Sequence, residues 1–506
     1  MVSAEAYGLF ECYHSLEKFT CASIFAETGK RTPVLVRFAT IDGKRGAPDT
    51  LRDVRSFAVK FHADEGSWDL IGNNIPVSPI QDATIPPAQI LATRPELDFG
   101  MAQATNQHDT FWSRVSCMPE ATHMLLWLMS DRTLPRSYRM MQGFGVNTFR
   151  FVTASGESSF IKFHWQPLAG TYSLDWDEAI KIAGADPDFH RRDLWESIAS
   201  GIFPEFELGV QVFTAEQAEH FTFDVLDTTK LVPEELVPII PVGRMRLNRN
   251  PETPLPDAEH GPAGVSPFVP GIDILSDPLL SRKRPPAGDP YTQAALFWNS
   301  QSRAEKAHIF RAFRFELTRV TEPAVRARIV AMLANVSTEL AAPLAQSLGL
   351  VTPEPLPKDG QAPTLPPELM ESPALSLLTH PGDGTIRGRR IAILMAAGVN
   401  GDSARVLHAR LRAQGAVPRF VGARLGPVQS ESGESIAIEA TLETTPAVLY
   451  DAVVVPDGQD AAVALGNLGH AIEFIKTCSR PIVSSRNALL MQDSERARKI
   501  GNCHLS

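Results

Sequence analysis

Four runs in the first 250 residues alternate β-branched or aromatic residues with polar ones and are separated by turn residues. They are VLVRFAT (34–40), SFAVKFH (56–62), NTFRFVTASGESSFIKFHWQP (147–167) and GVQVFTAEQAEHFTFDV (209–225). Period-two patterning puts every second side chain on one face of a pleated strand, so this zone reads as a mostly antiparallel sheet. The TASGES stretch (153–158) predicts a hairpin inside the third run. From Pro251 to Pro290 the chain is Pro-rich and aperiodic, which predicts a wrapping segment. The spacing then turns helical over 302–350: Ile309, Phe313, Leu317 and Val320 share one stripe, and Thr321-Glu322-Pro323 predicts the start of a further helix. Eight prolines between Thr352 and Gly388 predict an extended linker that couples its neighbours loosely, because proline fixes φ and removes a donor. A new unit follows. It begins with RRIAILMAAGVNGDSARVLHARLRAQGAVPRFVG (389–422), a buried strand, a turn and an amphipathic helix, and AVVVPDG (452–458) and RPIVSS (480–485) supply two more buried strands of an α/β parallel sheet. The zones are thus 1–250, 251–301, 302–350, 351–388 and 389–506.

Composition narrows the function classes. With 506 residues and 43% hydrophobic content the chain has material for a large core and several domains. Its net charge of −10 argues against nucleic acid or an anionic membrane as partner, since both require a basic face. Five cysteines, widely spaced and without a CxxC pair, suggest neither a disulfide framework nor a zinc site and suit reduced thiols in a cytoplasmic protein. The longest strongly apolar stretch, Met124 to Met129, is far too short to span a bilayer. The start of the chain lacks the basic and apolar pattern of an export signal, so neither export nor an anchor is expected.

One longer stretch carries a resemblance. DTLRDVRSFAVKFHADEGSWDLIGNN (49–74), with VRFAT (36–40) before it, resembles the distal haem pocket of catalases. SDRTLPRSYRMMQGFGVNTFRFV (130–152), DPDFHRRDLWESI (186–198) and DTTKLVPEELVPIIPVGRMRLNRNP (227–251) extend it. The segment from 389 on resembles the C-terminal flavodoxin-like domain of large-subunit catalases, itself similar to class I glutamine amidotransferases. Where the amidotransferases carry a nucleophilic cysteine, this chain has Ser484-Ser485-Arg486-Asn487. Cys478, just before, is read as a packed or surface thiol.

The resemblance implies an α+β fold: an antiparallel catalase β-barrel, wrapping and helical segments, and the α/β C-terminal domain. It implies haem-dependent disproportionation of hydrogen peroxide to water and oxygen by a cytoplasmic homotetramer, with a catalytically inactive scaffold or binding protein as the alternative. In the family an asparagine amide orients the peroxide, and Asn73 occupies that place; a bare turn pair with Asn74 is the plainer reading. Arg37 matches the arginine beside the haem propionates, and Ile71 is a second cofactor-binding position. Asp53 and Ile41 match the main substrate channel, although Asp53 is equally readable as a structural partner of Arg52 or Arg55. His62, His123 and His164 lack ligand spacing and read as packed histidines.

The resemblance also implies a truncated or degenerate copy. Counting back from Ala6-Tyr7-Gly8-Leu9-Phe10 puts the family's distal histidine immediately before Met1. The helix with the iron-ligating tyrosine is expected after PGIDILSDPLL (270–280), but the chain runs through SRKRPPAGDP into YTQAALFWNSQSRAEKAHIF (291–310), which matches a later family region. Tyr291 is therefore not assigned as the ligand, and no metal-binding residue is identified. Ala39 stands where the family has serine, Ser78, Pro79 and Pro86 stand where it has phenylalanines, and ETPLPDAEHGPAG (252–264) replaces a Phe-rich segment.

Overall fold

The computed structural model describes residues 3–41, 47–80, 106–251, 289–357 and 367–479. The expected SRKRPP shortening, the 252–264 replacement, Pro86, the RPIVSS strand and Cys503 lie outside the described residues.

The strands are β1 (Ser3–Cys12), β2 (Arg31–Thr40), β3 (Arg55–Ala63), β4 (Gly66–Asn73), β5 (Gly143–Phe144), β6 (Phe149–Val152), β7 (Ser158–Pro167), β8 (Glu205–Phe213) and β9 (Ile240–Arg249). The four alternating runs supply β2, β3, β6, β7 and the second half of β8, and the last run turns helical at Ala215–His220, where Thr214 caps a helix. They hydrogen-bond in the order β5-β4-β3-β2-β1-β9-β8-β7-β6, and β5 also pairs with β7. That last pairing closes an eight-stranded antiparallel barrel, with β6 added outside it as the expected hairpin partner of β7. Eight strands leave an interior just wide enough for side chains to fill. Here Phe10, Phe38, Phe57, Phe61, Phe163 and Phe206 fill it together with Trp165, none more than 2% exposed. Aromatic edges meet faces inside, as in Phe10–Phe61 at 5.4 Å and 86°.

Helices α1 (Asn106–Val115), α2 (Thr122–Met129), α3 (Trp176–Ala185), α4 (Phe189–Ala199), α5 (Ala215–His220), α6 (Thr292–Asn299), α7 (Arg303–Thr318), α8 (Pro323–Ala334) and α9 (Thr338–Ser347) surround the barrel. The apolar Met124–Met129 stretch belongs to α2, whose residues are all buried in a second core shared with α6, α7 and α8. The predicted stripe of Ile309, Phe313, Leu317 and Val320 is buried there too, and Glu322 caps α8 with Pro323 at its first position, as the Thr-Glu-Pro pattern predicts. No helix among the described residues is long and apolar enough to cross a membrane.

Beyond the linker, β10 (Arg390–Met395), β11 (Val417–Gly422), β14 (Ala440–Thr441) and β15 (Ala452–Val454) form the parallel sheet β14-β11-β10-β15, with a separate hairpin of β12 (Gly426–Gln429) and β13 (Ser435–Ile438) and with α10 (Gly401–Ala413) as the first crossover. Loose coupling of this unit, expected from the prolines, is not what the structure shows. Asp193 takes two bonds from Arg139 (2.8 and 3.0 Å) and lies 3.4 Å from Arg390. Asp451 takes one from Arg136 at 3.1 Å and one from the Arg390 backbone at 2.8 Å. The linker itself is tied in: the Leu377 N–H donates to Glu305 at 2.8 Å, and Arg132 donates to the Leu375 carbonyl at 3.1 Å. At Gly382 (φ +77°) any Cβ would fall 2.3 Å from the Gly170 nitrogen, so the two backbones meet only because the side chain is absent. Proline removes donors from the linker, but packing decides where it lies.

Candidate functional site

Strand register brings the predicted residues to one surface. Across β4, β3, β2 and β1 two cross-strand rows run side by side: Asn73–Ser56–Ala39–Ser3 and Ile71–Ala58–Arg37–Glu5. Residues two apart on a strand share a face, and Val34, Val36 and Phe38 take the interior, so both rows lie on the outside of the barrel. Three strand spacings make this face roughly 14 Å wide. Small residues (Ser56, Ala58, Ala39) make up its middle, and Ile71 is 68% exposed on it.

Asn73 owes its place to its neighbours. Asn74 is buried, accepting from the Arg55 backbone N–H at 2.8 Å and donating to the Arg132 carbonyl at 2.9 Å. The turn-pair reading therefore describes Asn74's anchoring, while Asn73 stays on the outer face. A Cβ on Gly72 would lie 2.3 Å from the Phe144 carbonyl, so only glycine lets β4 approach β5 this closely before Asn73. Ile41 and Asp53 sit beyond the Asn73 row at the same end of the sheet, where the Ile41 N–H bonds the Val54 carbonyl at 3.2 Å. Arg55 holds that loop together by donating to the carbonyls of Asp49, Leu51, Asp53 and Thr133 at 2.6–2.8 Å. Arg52 donates to the carbonyls of Leu128 and Ser130. Arg52 also donates to the Thr133 hydroxyl at 3.2 Å, so these two guanidiniums tie the loop to backbone carbonyls and one hydroxyl, a role the sequence did not signal.

Arg37 is the charged centre of the face. Its Nε is 3.7 Å from Glu5 Oε1, too long for a hydrogen bond, and is buried without a hydrogen-bond partner. Burial pushes the Glu5 carboxyl above its usual range, against the pull of Arg37.

A separate cavity of about 40 Å³ lies outside β7, lined by Trp127, Arg132, Gln142, Lys162, His164 and Glu234 among others. Burial pulls Lys162 down to about 8 and His164 down to about 4. His164 bonds Gln211 at 3.0 Å; His123 faces the Thr229 carbonyl at 2.8 Å and accepts from Trp127 at 3.1 Å. Both are the packed histidines expected, whereas His62 is exposed on β3. Lys162 and His164 in one alternating run were the available signal for this cavity, and the sequence reading passed over it.

A family model described as "Catalase" matches residues 2–285, one described as "Catalase-related immune-responsive" matches 284–348, and one described as "C-terminal domain found in long catalases" matches 387–484. The chain belongs to the large-subunit catalase family. Catalase HPII of Pseudomonas aeruginosa is 41% identical over 557 residues, covering 93% of this chain and 77% of that catalase. Catalase HPII of Mycobacterium avium is 40% identical and Catalase-1 of Neurospora crassa 37%, each over 556 residues and 93% of this chain, and over 78% and 74% of those catalases. The aligned stretch with the Pseudomonas catalase is longer than the whole 506-residue chain, so that relative holds residues within it that have no counterpart here.

Family membership implies haem, and the face fits part of it. A shallow floor of small residues, an exposed Ile71 and a guanidinium with an unbonded inner N–H suit a flat apolar group with an anionic edge. The axial side differs. All six tyrosines of the sequence are described. Tyr7 is on the sheet face itself under Arg249, Tyr13 bonds Glu207, and Tyr138 is stacked on Phe38 in the barrel. Tyr172 bonds the Pro381 carbonyl, Tyr291 is buried in the helical core, and Tyr450 is buried in the C-terminal core. No tyrosine stands across the face from Asn73. Cys478, buried on the helix Gly469–Ser479, is the packed thiol expected.

Proposed function

We propose that this catalase disproportionates hydrogen peroxide to water and oxygen with haem held on the outer face of β1–β4. The observation that carries the reading is the pair of rows that sets Asn73, Ile71 and Arg37 on one surface. Arg37 would hold a propionate carboxylate, Ile71 would lie against the apolar ring, and the Asn73 amide would hold a peroxide oxygen by hydrogen bonding. Haem, when bound, supplies the iron that takes electrons from one peroxide and returns them to another. Asp53 and Ile41 would line the approach, the carboxylate orienting small polar molecules. His123 is no candidate proton carrier: burial pulls it down to about 3, and both ring nitrogens are engaged in the core. The working form is a cytoplasmic homo-oligomer, tetrameric by family likeness.

The placement of the six tyrosines favours a second reading, a haem-free catalase homologue serving as a scaffold or binding protein. The alignment that outruns the chain is in keeping with it, if the unmatched residues include the expected tyrosine helix. Purified protein is assayed for a Soret band and for oxygen release from peroxide, before and after incubation with hemin. Oxygen release that tracks bound haem and is lost in Asn73→Ala supports the enzyme; a clean absence of haem and oxygen in both states supports the scaffold.

A further inference from the structure

Arg37 lies between two anions, one present and one awaited. Glu5 faces it from the next strand in direct register, 3.7 Å away, with its side chain only 15% exposed. The contact is close enough to neutralise the guanidinium and too long to satisfy its inner N–H. An arginine with a well-made partner makes two parallel bonds, as Arg139 does with Asp193.

We propose that Glu5 is a built-in occupant of the Arg37 seat, a carboxylate that competes with the anionic edge of a planar dicarboxylate ligand on the β1–β4 face. The proposal rests on the face being the ligand surface, and it deepens that reading by naming what regulates entry. A ligand carboxylate must turn Arg37 away from Glu5, and Glu5 then stays charged and half-desolvated on β1. Removing its charge removes that cost. The same follows from protonation: burial raises the Glu5 carboxyl, so lowering the pH neutralises Glu5 before an unburied glutamate and frees Arg37. Among the described residues Arg37 is the only charge acting on Glu5, and the other charges of the neighbouring strands are engaged elsewhere. Arg249 on β9 lies over Tyr7 at 4.7 Å, Arg246 on β9 pairs with Glu205, and Lys60 on β3 pairs with Asp69 on β4. None of these pairs includes Glu5 or Arg37.

The test uses the full chain and two probes: metal-free protoporphyrin IX, which has carboxylates but no iron and so makes no demand on an axial ligand, and its dimethyl ester, which has no free carboxylate. Binding is read from porphyrin fluorescence, with circular dichroism confirming the fold of each variant. Glu5→Gln and Glu5→Ala are expected to bind protoporphyrin IX about fivefold tighter than the native chain. Arg37→Ala in the Glu5→Gln background cancels that gain, and the ester is indifferent to all three changes. Native affinity climbs as the pH falls toward the acid range, and the Glu5→Gln profile is flatter. Equal binding by native protein and both Glu5 variants, or no binding by any of them, overturns the proposal. Tighter porphyrin binding without oxygen release after hemin loading leaves the seat standing and removes the enzymatic reading instead. Hemin-dependent oxygen release with no effect of Glu5 substitution does the reverse.

Discussion

Arginine meets carboxylate in two regions of this molecule with opposite results. At the seam between the barrel and the C-terminal domain, burial alone would raise Asp451, yet Arg136 and Arg389 outweigh it and hold the carboxyl down at about 2. Asp193 is likewise held well below the usual carboxylate range by Arg139 and Arg390, against its own burial. On the outer face of β1–β4, Glu5 beside Arg37 is raised instead. The difference is first the charge around each carboxylate and then hydrogen-bond closure: each seam carboxylate faces two arginines and accepts at 2.8–3.1 Å, while Glu5 faces Arg37 alone at 3.7 Å. A closed pair fastens two domains; an open one leaves a donor for a ligand.

The comparison breaks most easily at the seam. Asp193→Ala leaves Arg139 buried without its counter-charge and is expected to cost about 3–5 kcal/mol, measured by denaturant unfolding; a loss below about 1 kcal/mol would mean that the seam is as weak as the outer face. Asn74→Ala strands the Arg55 N–H and the Arg132 carbonyl and should cost about 2–3 kcal/mol, with Asn74→Asp recovering only the first bond. Asp451, drawn from 3.8 to about 2, contributes roughly 2 kcal/mol that is fully present above about pH 4 and lost as the pH falls through about 2. Acid unfolding of Asp451→Asn against the native chain should show that difference shrinking in this window; a constant difference would place the stabilisation elsewhere. The smallest effect sharpens the contrast: Arg37→Ala should change stability by under about 1 kcal/mol, because a partly exposed, unclosed pair adds little. A loss as large as that of Asp193→Ala would make Arg37 a structural residue.

Strands β2, β3, β7 and β8, the hairpin, the helical stripe and the cap of α8 were legible because each is written in residues close together in the chain; β1, β4 and β9 were not. The residues of the face were named only by the family resemblance; it took the strand register to set Arg37, Ile71 and Asn73 on one parity of neighbouring strands. What escaped was written across distance. Arg136 and Asp451 are 315 positions apart, and nothing local to either announces the other. The linker prolines predicted an extended segment, but Pro373 starts a short 3-10 turn that packs its Leu375 carbonyl onto Arg132 and Gln301. Glu5 was an unremarked residue of an alternating strand until register put it opposite Arg37.

The ring closure has a consequence for how the chain is made. β1 leaves the ribosome first, yet one of its two neighbours, β9, pairs with it through Arg249 and Tyr7 and is made last of the nine strands. At about 5–20 residues per second, the nascent β1–β4 meander waits roughly 9–35 s with its β1 edge unpaired. Over that interval it is a twisted open sheet whose aromatic concave side faces water, the geometry that invites pairing between neighbouring nascent chains on one polysome. The yield of this protein should therefore depend on translation rate and on holdase chaperones far more than its finished, closed barrel suggests.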